Sequence, residues 1–330
     1  MENQCKICTN SLNNEIFVVR EMMYGTQEKF NYFRCSSCGC LQIAEIPKDI
    51  STFYPSESYY SFQQLHDNTL SRRLKNMIKF ILFNYVFYVG GGLFFIKKIP
   101  LVKQWLESLV WLKMLTRQKA IKKRSSILDV GCGAGYLLQE MNLWGFKNLT
   151  GIDPFIEKDI LLNDRGGKIL KSDIFNHTGT YDLIMLHHSF EHMEDPHLIL
   201  EQLYKMLNPN GFLLIRIPVS DSFAWRKYGV NWFQIDAPRH LFLYTTRSMN
   251  LLGKNAGFVL KQVIHDSTEI QFLYSDKYCR DISLFENVDF SPEYVNDCKK
   301  HAGWLNRIMD GDQACFLFQK EEYRHFLENS

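Results

Sequence analysis

The sequence predicts an α/β fold: an open, doubly wound sheet of seven strands, a small cysteine-bearing domain ahead of it and a helical insertion near its end. Three observations carry the prediction. First, the apolar run Ile127-Leu128-Asp129-Val130 leads straight into glycines at 131, 133 and 135 and then into a helical pattern from Tyr136. Second, strand-like and helix-like runs alternate from there to residue 319, the rhythm of successive βα units. Third, two CxxC pairs, Cys5/Cys8 and Cys35/Cys38, stand before any of this.

Taken in order, residues 1–60 read as a zinc ribbon. Two-residue spacing lets both thiolates of a pair reach one tetrahedral ion, and two pairs close a four-cysteine site with no open position. Ile16–Val19 and Phe30–Phe33 read as the ribbon's hairpin strands, and Cys38 fits the spacing better than the adjacent Cys40. The opening residues MENQCKICTN show no basic-then-apolar leader, so thiols in a reducing, cytoplasmic setting are expected rather than disulfides. Residues 61–124 read as a basic, apolar linker or cap. Within them, 71–124 carry 13 Lys or Arg against the single acid Glu107, in a chain whose net charge is +2. Residues 80–96 form a 17-residue uncharged run, short for a membrane span and broken by Gly90-Gly91-Gly92. The expected role is packing on the main domain or on a second subunit, with peripheral contact to anionic lipid through 71–124 left open.

The main domain is expected over 125–330, with strands near 126–130, 149–153, 168–171, 181–187, 211–217, 258–265 and 313–319. Helices are expected near 134–145, 156–164, 196–207 and 246–256, and 266–312 reads as an insertion with short helices before the last strand. The glycine loop lets a ligand lie against bare backbone at a helix N-terminus. A dinucleotide pyrophosphate and the methionine part of S-adenosylmethionine (SAM) both suit such a loop. The spacing is GxGxG rather than GxGxxG, and acids follow at the expected strand ends: Asp129, then Asp153 for a ribose diol, then Asp173 with Ile174 beside an adenine. That ordered set favours SAM.

With LDVGCGAG, GIDP, KSDIF, YDLIMLHHSFEHMEDP and NPNGFLLIRIP in this order, the chain resembles the class I SAM-dependent methyltransferases over about 125–319. The resemblance implies the Rossmann-like fold of those enzymes. The segments WFQIDAPRHL and DGDQAC are similar to a bacterial branch that occurs with surface-polysaccharide biosynthesis. The expected SAM contacts are Asp129, Gly131, Gly133, Gly135, Asp153, Asp173 and Ile174, with His188 near a strand end beside them.

Methyl transfer to a hydroxyl needs alignment and removal of a proton. In open sheets the ligands lie beyond the carboxyl ends of the strands, which makes His192 and His240 the candidate bases and Trp232, Asp236 and Arg239 the candidate acceptor contacts. Arg239 suits a phosphate or carboxylate, or equally an internal pairing with Asp236. The leading expectation is O-methylation of a sugar or glycan intermediate, nucleotide- or lipid-linked, with structural zinc in the ribbon. Sugar C-methylation, RNA methylation and a non-catalytic SAM-binding or zinc-ribbon scaffold are the alternatives. Nucleic acid is disfavoured, because HHSF replaces the base-amine motif, and a homodimer is left open.

Overall fold

The computed structural model describes residues 3–54, 81, 83–84, 109–162 and 166–321. The N-terminal strands β1 (Glu15–Arg20) and β2 (Lys29–Arg34) form an antiparallel hairpin, and β3 (Leu41–Ile43) pairs antiparallel with β2. The large sheet takes its strands from β4 (Ile127–Val130), β5 (Leu149–Ile152), β6 (Ile160–Leu161), β7 (Lys168–Leu170), β8 (Tyr181–His187) and β9 (Leu207–Pro218). β10 (Phe242–Leu243) leaves for the other sheet, and β11 (Phe258–His265) and β12 (Gln313–Lys320) complete the large one. Its order is β11-β12-β9-β8-β4-β5-β7-β6. The strands from β9 to β7 run parallel, while β12 lies antiparallel between β9 and β11.

All seven expected strands are present. Among the described residues of 156–164, no helix forms. Ile160–Leu161 instead add an eighth edge strand antiparallel to β7. Gly166 and Gly167, at φ +92° and +116°, turn the chain back, and Leu162 N–H donates to Gly167 O at 3.0 Å. Two apolar residues against a hairpin edge outweigh a helix that would have to end at this glycine pair.

Helices α1 (Val110–Arg117), α2 (Tyr136–Leu143), α3 (Pro196–Met206), α4 (Phe223–Tyr228), α5 (Thr246–Asn255), α6 (Ile270–Tyr278) and α7 (Pro292–Arg307) fill the connections. The period of two along each strand divides the core. Ile127, Leu183, Met185, Leu214 and Leu317 face α1 and α2 on one side. Leu128, Ile184, Leu213, Ile215 and Phe316 face α3 and α5 on the other, and that second core runs without a break into Tyr32, Phe33 and Leu41 of the ribbon. Most of the basic segment at 71–124 lies outside the described residues. Within what is described, α1 buries Trp111, Leu112, Met114 and Leu115, and Phe83 stacks on Trp144 with ring centroids 4.9 Å apart, while Ile81 is exposed. Among the described residues no helix is long and apolar enough to cross a membrane.

The ribbon does not fold apart from the large domain. β10 pairs antiparallel with β3, Phe242 opposite Gln42 and Leu243 opposite Leu41, and makes the small sheet four-stranded. Thr245 caps α5 and at the same time donates its hydroxyl to Cys38 O at 2.8 Å. The insertion over 266–312, which includes the 16-residue α7, reaches the ribbon too: Leu284 N–H donates to Met22 O at 3.0 Å.

Candidate active site

The glycine loop lies where β4 meets α2. Gly131, Gly133 and Gly135 have φ of +73°, +53° and +74°, a region that disfavours a Cβ. A Cβ on Gly131 would lie 2.5 Å from Ser189 Cβ, and one on Gly135 would lie 1.9 Å from Ile169 Cδ1. The loop is therefore pinned between β7 and the segment after β8, while α2 starts without a side-chain cap and leaves its first N–H groups for a ligand. Asp129 is buried at the end of β4, and burial, then the neighbouring Asp153, pushes its carboxyl up to about 8. A buried acid of that kind gains most from a cationic partner. Asp153 Oδ2 accepts from Gly133 N–H at 2.8 Å and Oδ1 from Phe155 N–H at 2.9 Å, so it braces the loop while keeping lone pairs for a diol. Asp173 holds its own turn, accepting from Phe175 N–H at 2.8 Å and Asn176 N–H at 3.0 Å, with Ile174 buried beside it. These residues fit SAM: a cradle of bare backbone, a buried acid for the amino group and a strand-end acid for the ribose. Bound there, SAM supplies a methyl group activated on a sulfonium.

Next to the loop, Ser189 Oγ donates to Val130 O at 2.7 Å and ties β4 to the turn that carries Glu191 and His192. His188 sits at φ +53°, with Nε2 2.8 Å from Arg216 Nη1. Arg216 can only donate, so the neutral His188 ring carries its proton on Nδ1, which lies 3.6 Å from Glu191 Oε1. His192 and His240, 48 positions apart in sequence, come together with ring centroids at 4.7 Å. His192 Nδ1 is 2.8 Å from Arg239 O, and His240 Nδ1 is 2.7 Å from Gln234 O. Burial, then His240, holds His192 below its usual pKa and hence neutral near pH 7. Glu191 is fully buried between them. Burial opposes its charge, but the surrounding histidines keep its pKa below the usual value.

The expected acceptor contacts divide. Trp232 is buried and donates Nε1–H to Asp312 Oδ2 at 2.9 Å, and burial raises Asp312 to about 6. The Arg239 side chain is 0% exposed; it pairs with Asp236 at 2.6 Å and with the equally buried Glu21 of the ribbon at 2.9 Å. Of the two readings for Arg239, the internal pairing is the one present. Asp236 keeps an edge toward the histidines, with Oδ2 3.9 Å from His240 Nε2. Glu21, Tyr32 and Tyr54, which no motif marked, belong to the same site: Tyr32 donates to His240 O at 2.8 Å, and Tyr54 Oη lies 3.2 Å from His192 Nδ1. Arg216 had a signal in sequence, a lone charge inside the apolar strand LLIRIP.

At the far end of the ribbon the four cysteines converge. Cys5 and Cys38 sulfurs are 3.6 Å apart and those of Cys8 and Cys35 are 3.4 Å apart, all within 4.8 Å of one another. Sulfurs each about 2.3 Å from one tetrahedral ion would be roughly 3.8 Å apart, so the set fits zinc. Gln42 Nε2 donates to Cys5 Sγ at 3.0 Å, the outer shell such a site uses. Cys40 lies buried outside the set.

Residues 105–263 match the family model of a methyltransferase domain. The chain carries a class I SAM-dependent methyltransferase domain. Among curated relatives, a tRNA U34 carboxymethyltransferase of Actinobacillus succinogenes is 29% identical over 36% of this chain and 40% of its own length. The mitochondrial ubiquinone biosynthesis O-methyltransferase of Saccharomyces cerevisiae is 31% identical over 30% of this chain and 36% of its own. The chain thus spans well under two thirds of these relatives. Among solved structures, a SAM-dependent methyltransferase from Archaeoglobus fulgidus is 19% identical, covers 73% of this chain and 99% of that one, and superposes with a TM-score of 0.42. In this methyltransferase domain the glycine loop and the histidine pair share one end of the sheet, beyond the carboxyl ends of β4 and β8.

Proposed function

We propose that the protein transfers the methyl group of SAM to a hydroxyl of a sugar or glycan intermediate, nucleotide- or lipid-linked, in surface-polysaccharide biosynthesis. One observation carries the hydroxyl: the cluster of Glu191, His192 and His240 stands directly beside the glycine loop, fixed to it through Ser189. A hydroxyl must lose a proton as it attacks, and this cluster offers imidazole nitrogens and a carboxylate for that purpose. The sugar rests on the likeness of WFQIDAPRHL and DGDQAC to the polysaccharide-associated branch. Zinc in the four-cysteine set is the structural ion of this reading, a glycan or small-molecule acceptor is the partner, and the cytoplasm is the compartment.

Incubating the protein with radiolabelled SAM and fractionated extracts of its own cells tests the acceptor. Label in a nucleotide sugar or glycolipid is the expected result, and label in no such fraction removes the sugar reading. Relatives named as tRNA U34 carboxymethyltransferases favour one second reading, an RNA acceptor, which the same experiment reads as label in the RNA fraction. His240→Ala should cut turnover at least tenfold while leaving SAM affinity within about twofold, as expected for a group acting on the acceptor.

A further inference from the structure

The centre of the Glu191 cluster is lined mostly by acceptors; the donor that faces it, His188 Nδ1–H, stands 3.6 Å from Glu191 Oε1, beyond hydrogen-bond distance. Both Glu191 oxygens are buried and make no hydrogen bond among the described residues. A carbonyl can only accept, so Arg239 O and Gln234 O fix the protons of His192 and His240 on Nδ1. In the neutral rings each Nε2 is then a bare lone pair. His240 Nε2 points that lone pair at two carboxylates, 3.9 Å from Glu191 Oε1 and 3.9 Å from Asp236 Oδ2. Arg239 compensates Asp236, but no cationic side chain of the cluster bonds Glu191. Lone pairs crowded together at this burial call for a positive charge between them.

We propose that Glu191, His192 and His240 form a second divalent-metal site, separate from the four cysteines, which takes a first-row cation such as Zn2+ or Mn2+ and keeps an open position for the acceptor hydroxyl. One donor atom from each residue already lies within 4.8 Å of the others, and ligands about 2.1 Å from one ion sit roughly 3.0–3.4 Å apart, so closing on it takes shifts of about an ångström. Two imidazoles and a carboxylate are a common ligand set for catalytic sites with an open position. A backbone carbonyl holding each Nδ1–H is the outer shell that orients metal-binding histidines.

This deepens the function proposed above: with the ion bound, the imidazoles and the carboxylate serve as its ligands rather than as the base, and only the identity of the acceptor is taken from that function. A hydroxyl on the cation has a lowered pKa. Its proton leaves to water, its oxygen pair forms the bond to the methyl carbon, and the carbon–sulfur pair stays on sulfur.

The full chain, purified without chelator and dialysed against excess Zn2+ or Co2+, is assayed for bound metal by mass spectrometry. Two ions per chain are expected for the wild type, and one for Glu191→Gln and for the Glu191→Gln/His240→Ala pair. The Co2+ forms separate the sites: the thiolate charge-transfer absorption of the cysteine set should persist in the variants, showing an intact ribbon, while the weaker bands of a nitrogen–oxygen site vanish. One ion per chain in saturated wild type overturns the proposal, as do two ions retained by the double variant. Neither outcome depends on the acceptor, so a wrong substrate and an absent metal site are told apart.

Discussion

The proposed place of Asp129 at the SAM amino group makes proton release on cofactor binding an expected outcome. Its pKa in the free protein is raised to about 8 by burial and by Asp153, above the unfolded value of 3.8. A raised carboxyl contributes stability that is fully present below its unfolded pKa and is lost as pH rises toward the folded one. The free protein should therefore lose this contribution between about pH 4 and pH 8, and a cation at Asp129 restores it by stabilising the ionised form. SAM binding at pH 7 should release roughly one proton, seen as a dependence of the calorimetric heat on buffer ionisation enthalpy. Asp129→Asn should abolish that dependence; a wild type with no proton release would separate Asp129 from the amino group. Asp153→Ala removes the brace on Gly133 as well as a ribose anchor, and SAM affinity should fall more than about tenfold by calorimetry. Gly131→Ala should lose SAM binding outright, because its Cβ would enter Ser189 and the loop would move away from the cofactor.

At the scale of elements, the contact between β3 and β10 makes the N-terminal sheet one wall of the candidate active site. Tyr32 on β2 reaches across to His240 O, a hydrogen bond of 2.8 Å that is fully buried. Tyr32→Phe should cost about 1–3 kcal/mol in denaturant unfolding, the penalty of leaving that carbonyl unpaired. It should also raise the acceptor KM, since Gln234 O and Tyr32 hold His240 from two sides.

The sheet strands, the two CxxC pairs and the glycine loop were legible in sequence because each is a local pattern: apolar alternation, thiol spacing, glycine where φ is positive. β3, β10 and the edge strand β6 were not, because two or three residues carry no periodicity and only their partners define them. The same holds for the site. Asp129 and Asp153 follow their strands, whereas Glu21 reaches Arg239 and Tyr54 reaches His192 through contacts that span more than a hundred residues. Arg239 could be read two ways from its neighbours. The buried Glu21, invisible to any local motif, favours the inward pairing.

For the whole molecule, the Glu21–Arg239 pair is the clasp between ribbon and methyltransferase domain, with both side chains 0% exposed. Glu21→Gln removes one charge-assisted hydrogen bond and leaves Arg239 paired with Asp236, so it should destabilise the fold by about 1.5–3 kcal/mol. Unfolding should stay cooperative, because one core runs through both parts. A variant that instead unfolds in two separate transitions would mean the ribbon folds independently. Changing Cys35 and Cys38 to Ser, which removes half of the proposed zinc site, should likewise lower methyl transfer although that site lies away from the chemistry, since Cys38 O and Gln42 connect it to Thr245 and β10.

The pairing of β3 with β10 also sets a timetable. Ile43 leaves the ribosome about 200 residues before Phe242, so at about 5–20 residues per second the residues of β3 wait on the order of 10–40 s for their partner strand. An unpaired edge is a template for strands from other chains. Chains crowded on polysomes are therefore expected to be more open to misassembly at this edge than the finished fold, in which β10 covers it.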